Sequence, residues 1–336
     1  MMLLYLLKSL FFFISIIPSL IRELIVQYFY FRTQINPIVK AYFSLKDGSI
    51  KKKDSFRIWY YGIYIPVFLG YGFSILRGKS VNRNERKILS LFAAATPLFD
   101  DFFDHSGLDP ERLRLYFTQR ESFVPQNEKE QLLFQLLLAI KPLIKNEEAF
   151  IQTSYLNFEA HLQALQIESD PLVPFATIKK NNHDKGGYTT LLFWLILDEE
   201  ESKAWNTLIF QAGIMIQLSD DIFDIWFDFQ NGAKTSATNC NSVDELYQEY
   251  RNELNKLIQY VNQADTSLKN KRRFLSLFFL FLSRVEVAVQ QLQTLPVSKP
   301  FNPQIYTRKE LVCDMALLKN NMKWLNYYYS YKTKLP

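Results

Sequence analysis

Two stretches of this chain carry side chains whose types and spacing could do chemistry. In Gln217-Leu218-Ser219-Asp220-Asp221-Ile222-Phe223-Asp224-Ile225-Trp226-Phe227-Asp228 the acids Asp220, Asp224 and Asp228 recur every fourth residue, with Gln217 one turn earlier and Gly232 and Lys234 closing the segment. On a helix, positions i, i+4 and i+8 lie one above another, so this spacing predicts a single acidic column. Such a column is unfavourable alone. Like charges at that spacing repel, and the apolar neighbours Ile222, Phe223, Ile225, Trp226 and Phe227 point to partial burial, where an unpaired carboxylate is costly. A hard divalent cation would remove the conflict.

The second stretch is Phe99-Asp100-Asp101-Phe102-Phe103-Asp104, at the end of a helix that the apolar pattern starts near Asn84. Asp100 and Asp104 share a face, while Asp101 points about 100° away. Phe92, Ala93 and Thr96 precede them on that face, so the carboxylates would stand at the mouth of an apolar groove, an arrangement suited to a substrate that is greasy at one end and anionic at the other. One acidic helix end is usually a solvated terminus. Two clusters of the same Asp-Asp-x-x-Asp form, about 120 residues apart and both set among aromatics, favour a metal site. Facing each other across a helical bundle they would hold several Mg²⁺ ions, because Mg²⁺ takes carboxylate, water and phosphate oxygens. Zn²⁺ would want His or Cys, and neither His105, His161 and His183 nor Cys240 and Cys313 have ligand spacing.

The elements that must position these acids read as helices. From Phe56 onward the apolar residues recur with helical period, broken near 78–82, 110, 125, 171–187, 231–241 and 296–303. The Phe-rich segment Phe274 to Leu282 could pass for a strand locally, but its flanks extend it into one long helix. The pattern predicts an all-α fold, one helical domain over residues 56–336 with no internal repeat. Ahead of it, residues 1–46 form an apolar helical segment, and 47–55 read as a solvated loop. The uncharged run from Ser9 to Ile21 spans 13 residues, short of the ~20 needed to cross a bilayer, and no small-x-small cleavage site follows it. The segment is expected either to be buried as a first helix or to lie on a membrane surface. Aromatics make up 16% of the chain, which points either to a large aromatic core or to a pocket for an apolar ligand. The net charge of +5 is mild and forms no stripe, so nucleic acid is not an expected partner. Two distant cysteines fit a reducing compartment, hence a cytoplasmic protein, peripheral to the inner face of the membrane if the first helix touches lipid.

With both acidic stretches in view, the chain resembles the class I isoprenoid synthase superfamily, which contains trans-prenyl diphosphate synthases and class I terpene cyclases. Asp100-Asp101-x-x-Asp104 is similar to its first aspartate-rich motif. Gln217-x-x-Asp220-Asp221-x-x-Asp224 followed by Gly232-x-Lys234 resembles the second motif of the prenyl synthases, and Asp220, Asp221, Asp224 and Asp228 also fall at the four places of the cyclase metal motif. Asp184-Lys185-Gly186-Gly187-Tyr188 looks like the lysine-containing helix opening that precedes the second motif, and like a segment of the bacterial large terpene synthases. The chain departs from the elongating enzymes in having only Arg77-Gly78-Lys79 and Arg83 upstream of the first motif and a lone Arg120 after it. It departs from cyclases in having Lys323-Trp324 and Tyr327 to Tyr329 where an Arg-Tyr pair is usual.

The resemblance implies a helical bundle with a central cavity, and that Asp100, Asp104, Asp220, Asp224 and Asp228 bind Mg²⁺, with Asp101 and Asp221 behind the ligands or facing solvent. It implies diphosphate binding by Lys185, Gln217, Lys234, Arg83 and Arg120, with Arg114 a further candidate, aided by N–H groups of a helix starting after Gly187. Phe92, Thr96, Tyr188, Phe193 and Gly213 would line the substrate cavity, with Trp226 a further aromatic wall. The expected activity is that of a terpene synthase: ionisation of a prenyl diphosphate of C15 or longer, then cyclisation or quenching of the carbocation. The alternatives are a prenyl diphosphate synthase that elongates with isopentenyl diphosphate, and a non-catalytic, membrane-associated helical binding protein. Members of the superfamily are often homodimers.

Overall fold

The computed structural model describes residues 2–42, 50–103, 109–118, 123–198, 202–296 and 299–336, with side chains from Ile16 onward except those of Tyr42 and Thr118. Among them every regular element is helical: α1 (Met2–Tyr30), α2 (Asn36–Tyr42), α3 (Lys52–Ile65), α4 (Tyr71–Arg77), α5 (Arg83–Asp100), α6 (Pro110–Thr118), α7 (Glu128–Ile140), α8 (Glu147–Ser169), α9 (Phe175–Leu195), α10 (Lys203–Phe223), α11 (Ile225–Asn231), α12 (Val243–Gln263), α13 (Leu268–Leu292), α14 (Arg308–Leu311) and α15 (Leu318–Lys332). The all-α expectation holds, and Phe274 to Leu282 lies inside α13. The chain groups into two compact units, Met1–Tyr155 with Leu192–Glu199, and Leu156–Leu191 with Glu200–Pro336.

In the first unit α3 and α4 are joined by one wide turn over Pro66–Gly70, where proline has no N–H to give to an ordinary helical ladder. α5 packs between α3 and α7. It starts at an Asn82 cap whose side chain accepts from Glu85 N, while Glu85 bonds back to Asn82 N. Glu85 is buried and takes both Arg77 Nη1 and Nη2 at 2.7 Å and the Asp198 N–H at 2.9 Å. Burial pushes its carboxyl up, but these bonds outweigh it and hold the pKa below the usual range. The first helix is tied into this unit. Gln27, with no exposed surface, gives its amide to the Gly62 carbonyl and to Ser90 Oγ and accepts from Arg86, while Phe31 and Ile35 are fully covered. Of the expected alternatives, the described part of α1 thus shows burial along one face.

In the second unit α10 packs on α12 and α13. Leu246, Tyr250, Leu254, Leu257 and Val261 form the buried stripe of α12 at three- and four-residue steps, each covered side chain contributing ~2 kcal/mol. Much of the aromatic excess is core here: Phe274, Phe278, Phe279, Tyr250, Tyr328 and Tyr331 are fully buried. Tyr331 and Tyr247 hydroxyls both donate to Glu286, at 2.5 and 2.7 Å. Among the described residues two helices, Lys52–Arg77 across its wide turn and Leu268–Leu292, are long and apolar enough to cross a membrane, yet 61% and 78% of their apolar windows are buried within the protein.

α9 and α10 meet through glycine. A Cβ on Gly186 would stand 2.5 Å from Gln217 Cβ and 2.6 Å from the Gly213 carbonyl oxygen, and one on Gly213 would strike the Gly186 carbonyl. A break expected over 171–187 is confined to the start of that range, because α9 already begins at Phe175. Lys185, Gly186 and Gly187 therefore sit inside a helix, and no free N–H groups open after Gly187. Their glycines serve close helix approach instead. Gly213→Ala is expected to lower stability by ~1–3 kcal/mol in urea titration, although the same exchange on an open helix face would raise it.

Candidate functional site

The second acidic stretch lies at the end of α10, and it is not one straight column. α10 stops at Phe223, Asp224 has φ −98° and ψ 12°, and α11 starts at Ile225. The Asp224 and Asp228 N–H groups still bond the Asp220 and Asp224 carbonyls at 2.8 Å, so the acids stay on successive turns while the chain leaves the ideal helical path between them. Gly232 ends α11 with φ 75°, the left-handed conformation that stops helices.

The glycine crossing brings α9 against this acidic end. Asn182 donates to Asp221 Oδ2 at 2.8 Å, and Gln217 donates to Oδ1 at 2.8 Å. Asp221 is 2% exposed, so it faces neither solvent nor a ligand; it is a buried carboxylate held by two amides. Burial pushes its carboxyl up to about 7, with the Asp220 charge adding and the two amides and Lys185 opposing. Asp220 meets solvent yet is enclosed by protein on most sides. That enclosure, then the charge of Asp224, raises it to about 6, with Lys185 pulling down. Asp224 is exposed and is raised by burial of its surroundings. Asp228 is half-buried and is pushed up to about 8 by burial and then by Asp221, Asp220 and Asp224, against Lys185 alone. The negative end of the α10 macrodipole adds to the mismatch. The acids of this group outnumber the cation, Lys185, whose charge opposes Asp220, Asp221 and Asp228.

The other expected residues are placed as follows. Lys185 belongs to this group through its field on Asp220, Asp221 and Asp228. Gln217 is engaged by Asp221 and not by solvent-side anions. Lys234 gives its Nζ to the Asp170 carbonyl at 2.5 Å, at the C-terminal end of α8, where a cation complements the helix dipole. Gly213 is packed against α9 and lines no open space. Tyr188 is half-buried with its ring edge-on to Phe210 at 5.1 Å, and Trp226 is half-buried on α11.

The first acidic stretch belongs to the other unit. Asp104 and Arg120, with His105, lie outside the described residues. Asp100, half-buried, ends α5. Asp101 is 4% exposed and is neutralised by cations: Arg57 Nη1 bonds Oδ1 at 2.5 Å and Lys129 Nζ bonds Oδ2 at 2.6 Å, with Asp54 at 3.2 Å from the same ammonium. It therefore pins α3 and α7 to the end of α5 and does not face solvent. Arg83 cannot share an anion with Asp100. The two are the first and last residues of α5, about 26 Å apart at helical rise, and Arg83 is exposed. Arg114 pairs with Glu111 at 2.9 Å on its own helix. Phe92 and Phe193 are core residues, their rings edge-on at 4.9 Å, and Thr96 Oγ1 turns back to the Ala93 carbonyl.

Two side chains emerge that sequence spacing did not single out. Asn182 lies three residues before Lys185 on α9, a relation visible only once that segment is known to be helical. Arg284 on α13 sits with its guanidinium carbon 5.0 Å from the centre of the Phe223 ring, beside the acidic end of α10, and no pattern in the sequence marks it.

Chemically, the donor set of the second cluster is all oxygen with excess negative charge, the composition that Mg²⁺ prefers. Among the described residues no three His, Cys, Asp or Glu groups already converge as a metal cage. The raised carboxyls make a stability prediction for the metal-free protein. Between the ordinary value of 3.8 and about 8 the native state holds protons that the unfolded chain has lost, so stability falls as pH rises through that window. Asp228→Asn is expected to flatten that slope and to raise stability at pH 8 by ~1–2 kcal/mol in thermal or urea unfolding. Comparison of the chain with protein-family models, with curated proteins and with solved structures finds no match.

Proposed function

We propose that this protein binds a prenyl diphosphate together with Mg²⁺ and ionises it, in the manner of a class I terpene synthase. The observation that carries the reading is the set Asp220, Asp224 and Asp228 on successive turns, with Asp220 and Asp228 enclosed and raised by their acidic neighbours against the charge of Lys185. A cation relieves that repulsion. Because no three acids form a ready cage among the described residues, one or two of them would hold each ion, leaving the rest of its shell to water and diphosphate oxygens, as Mg²⁺ commonly has it. Bound Mg²⁺ supplies Lewis-acid stabilisation of the departing diphosphate.

The chain's own residues divide the remaining work. Lys185 adds a fixed positive charge beside the acids, suited to a diphosphate oxygen. Asn182 and Gln217 hold Asp221 rigid, and through it the turn that carries Asp220. Tyr188 and Trp226 offer aromatic faces to a carbocation of a C15 or longer chain. Elongation needs a second diphosphate site, and of the cations expected for one Arg77 is paired with Glu85 while Arg83 lies at the other end of α5 from Asp100. That favours a lyase over an elongating enzyme.

The test is incubation of the purified protein with allylic diphosphates of increasing length, with and without isopentenyl diphosphate, with products read by mass spectrometry. A diphosphate-free terpene is the expected product; a longer diphosphate would assign elongation instead, and no turnover with any of them would refute both. Asp224→Asn is expected to lower turnover by ~10²-fold or more with the helical fold intact. Asp100→Asn tests the first motif separately. Mg²⁺ with inorganic pyrophosphate should raise the thermal midpoint of the wild type, since a ligand bound only by the native state stabilises it, and should raise that of Asp224→Asn much less.

A further inference from the structure

The first unit presents a face that the proposed chemistry does not use. On α1, Ile21, Ile25 and Phe29 recur at four-residue steps, and on α3, Phe56, Tyr60 and Tyr64 do the same; all six are between 40% and 62% exposed. The helices are neighbours, and their rings run together. Tyr28 meets Phe29 at 5.4 Å and Trp59 at 6.4 Å, Trp59 meets Phe56 at 6.0 Å, and Tyr60 stacks on Phe56 at 6.0 Å and meets Tyr64 at 4.4 Å. Contiguous apolar surface of this kind on a soluble protein marks an interaction site.

Charge chooses the partner. Among the described residues of 16–41 and 50–65, every exposed charged side chain is a cation: Arg22, Arg32, Lys40, Lys51, Lys52 and Lys53. The acids of the same segments are turned inward. Glu23 pairs with Arg86 at 3.0 Å, and Asp54 is 2% exposed and lies 3.2 Å from Lys129. A two-fold contact between copies would set identical cationic faces against each other, which repels. Tyrosine and tryptophan rings with an apolar body and polar tip, isoleucine and phenylalanine beside them, and long basic side chains at the edge are the composition that settles at a lipid headgroup boundary. We propose that the exposed faces of α1 and α3 together dock this protein on a bilayer that contains anionic lipid, with the rings entering the headgroup layer and the lysines contacting the negative surface. The inference does not depend on the synthase reading.

Flotation of the full chain with phosphatidylcholine vesicles, with and without phosphatidylserine, tests it. The wild type should float with the anionic vesicles and much less with the neutral ones. Lys51→Gln, Lys52→Gln and Lys53→Gln combined should lose most of the gain from phosphatidylserine, roughly fivefold per charge. Phe56→Asn with Tyr60→Asn should lose binding to both vesicle types, with an unchanged circular dichroism spectrum. Wild-type protein that stays with neither vesicle overturns the proposal, as does binding that survives the aromatic exchanges. A concentration-dependent dimer that Phe56→Asn dissociates would assign the face to a second copy and overturn it too.

Discussion

The close approach of α9 to α10 at Gly186 and Gly213 is the constraint on which the acidic centre depends. A carbonyl oxygen occupies the space where either residue would carry a Cβ, so any side chain there forces the helices apart. Only at this separation does the short Asn182 side chain reach Asp221, and only then does Lys185 exert its field on Asp220 and Asp228. Glycine inside a helix costs up to ~1 kcal/mol in propensity, and here that cost supports an electrostatic arrangement.

The two stretches of Asp-Asp-x-x-Asp form are electrostatic opposites where they can be compared. Asp101 is buried and met by two cations, Arg57 and Lys129, which makes it a structural ion pair joining three helices. Asp221, the acid at the equivalent place, is buried and met by two neutral amides, with the carboxylate of Asp220 beside it. The first arrangement is self-sufficient. The second leaves negative charge uncompensated at the end of a helix whose own dipole is negative there, and its carboxyls titrate near neutrality as a result.

The same contrast separates what was legible from what was not. Helical period and proline and glycine placement located the long helices, because both are local properties of the backbone. The strand-like Phe274 to Leu282 was assigned correctly from its flanks for the same reason. The helix boundary near Gly187 was misplaced since glycine pairs usually mark turns, and nothing in the neighbouring residues states that another helix presses against them. Arg83 looked available to a diphosphate from its type and its motif; the rise of α5 sets it about 26 Å from Asp100. Lys234 and Gln217 were recognised as polar groups at meaningful spacing, but their hydrogen-bonding partners, the Asp170 carbonyl and Asp221, come from other turns and helices.

By itself the sequence determined an all-helical chain, two acidic clusters, and an acidic series at four-residue steps that must sit on successive turns, because these follow from backbone periodicity and residue type alone. Tertiary structure decided which of those acids are compensated. It placed Arg57 and Lys129 on Asp101, gave Asp221 to Asn182 and Gln217, broke the column at Asp224, and left Asp220 and Asp228 with Lys185. The reason is physical: a carboxylate's charge state is set by burial and by neighbours within a few ångströms, and those neighbours come from helices that only the packing of the chain brings together.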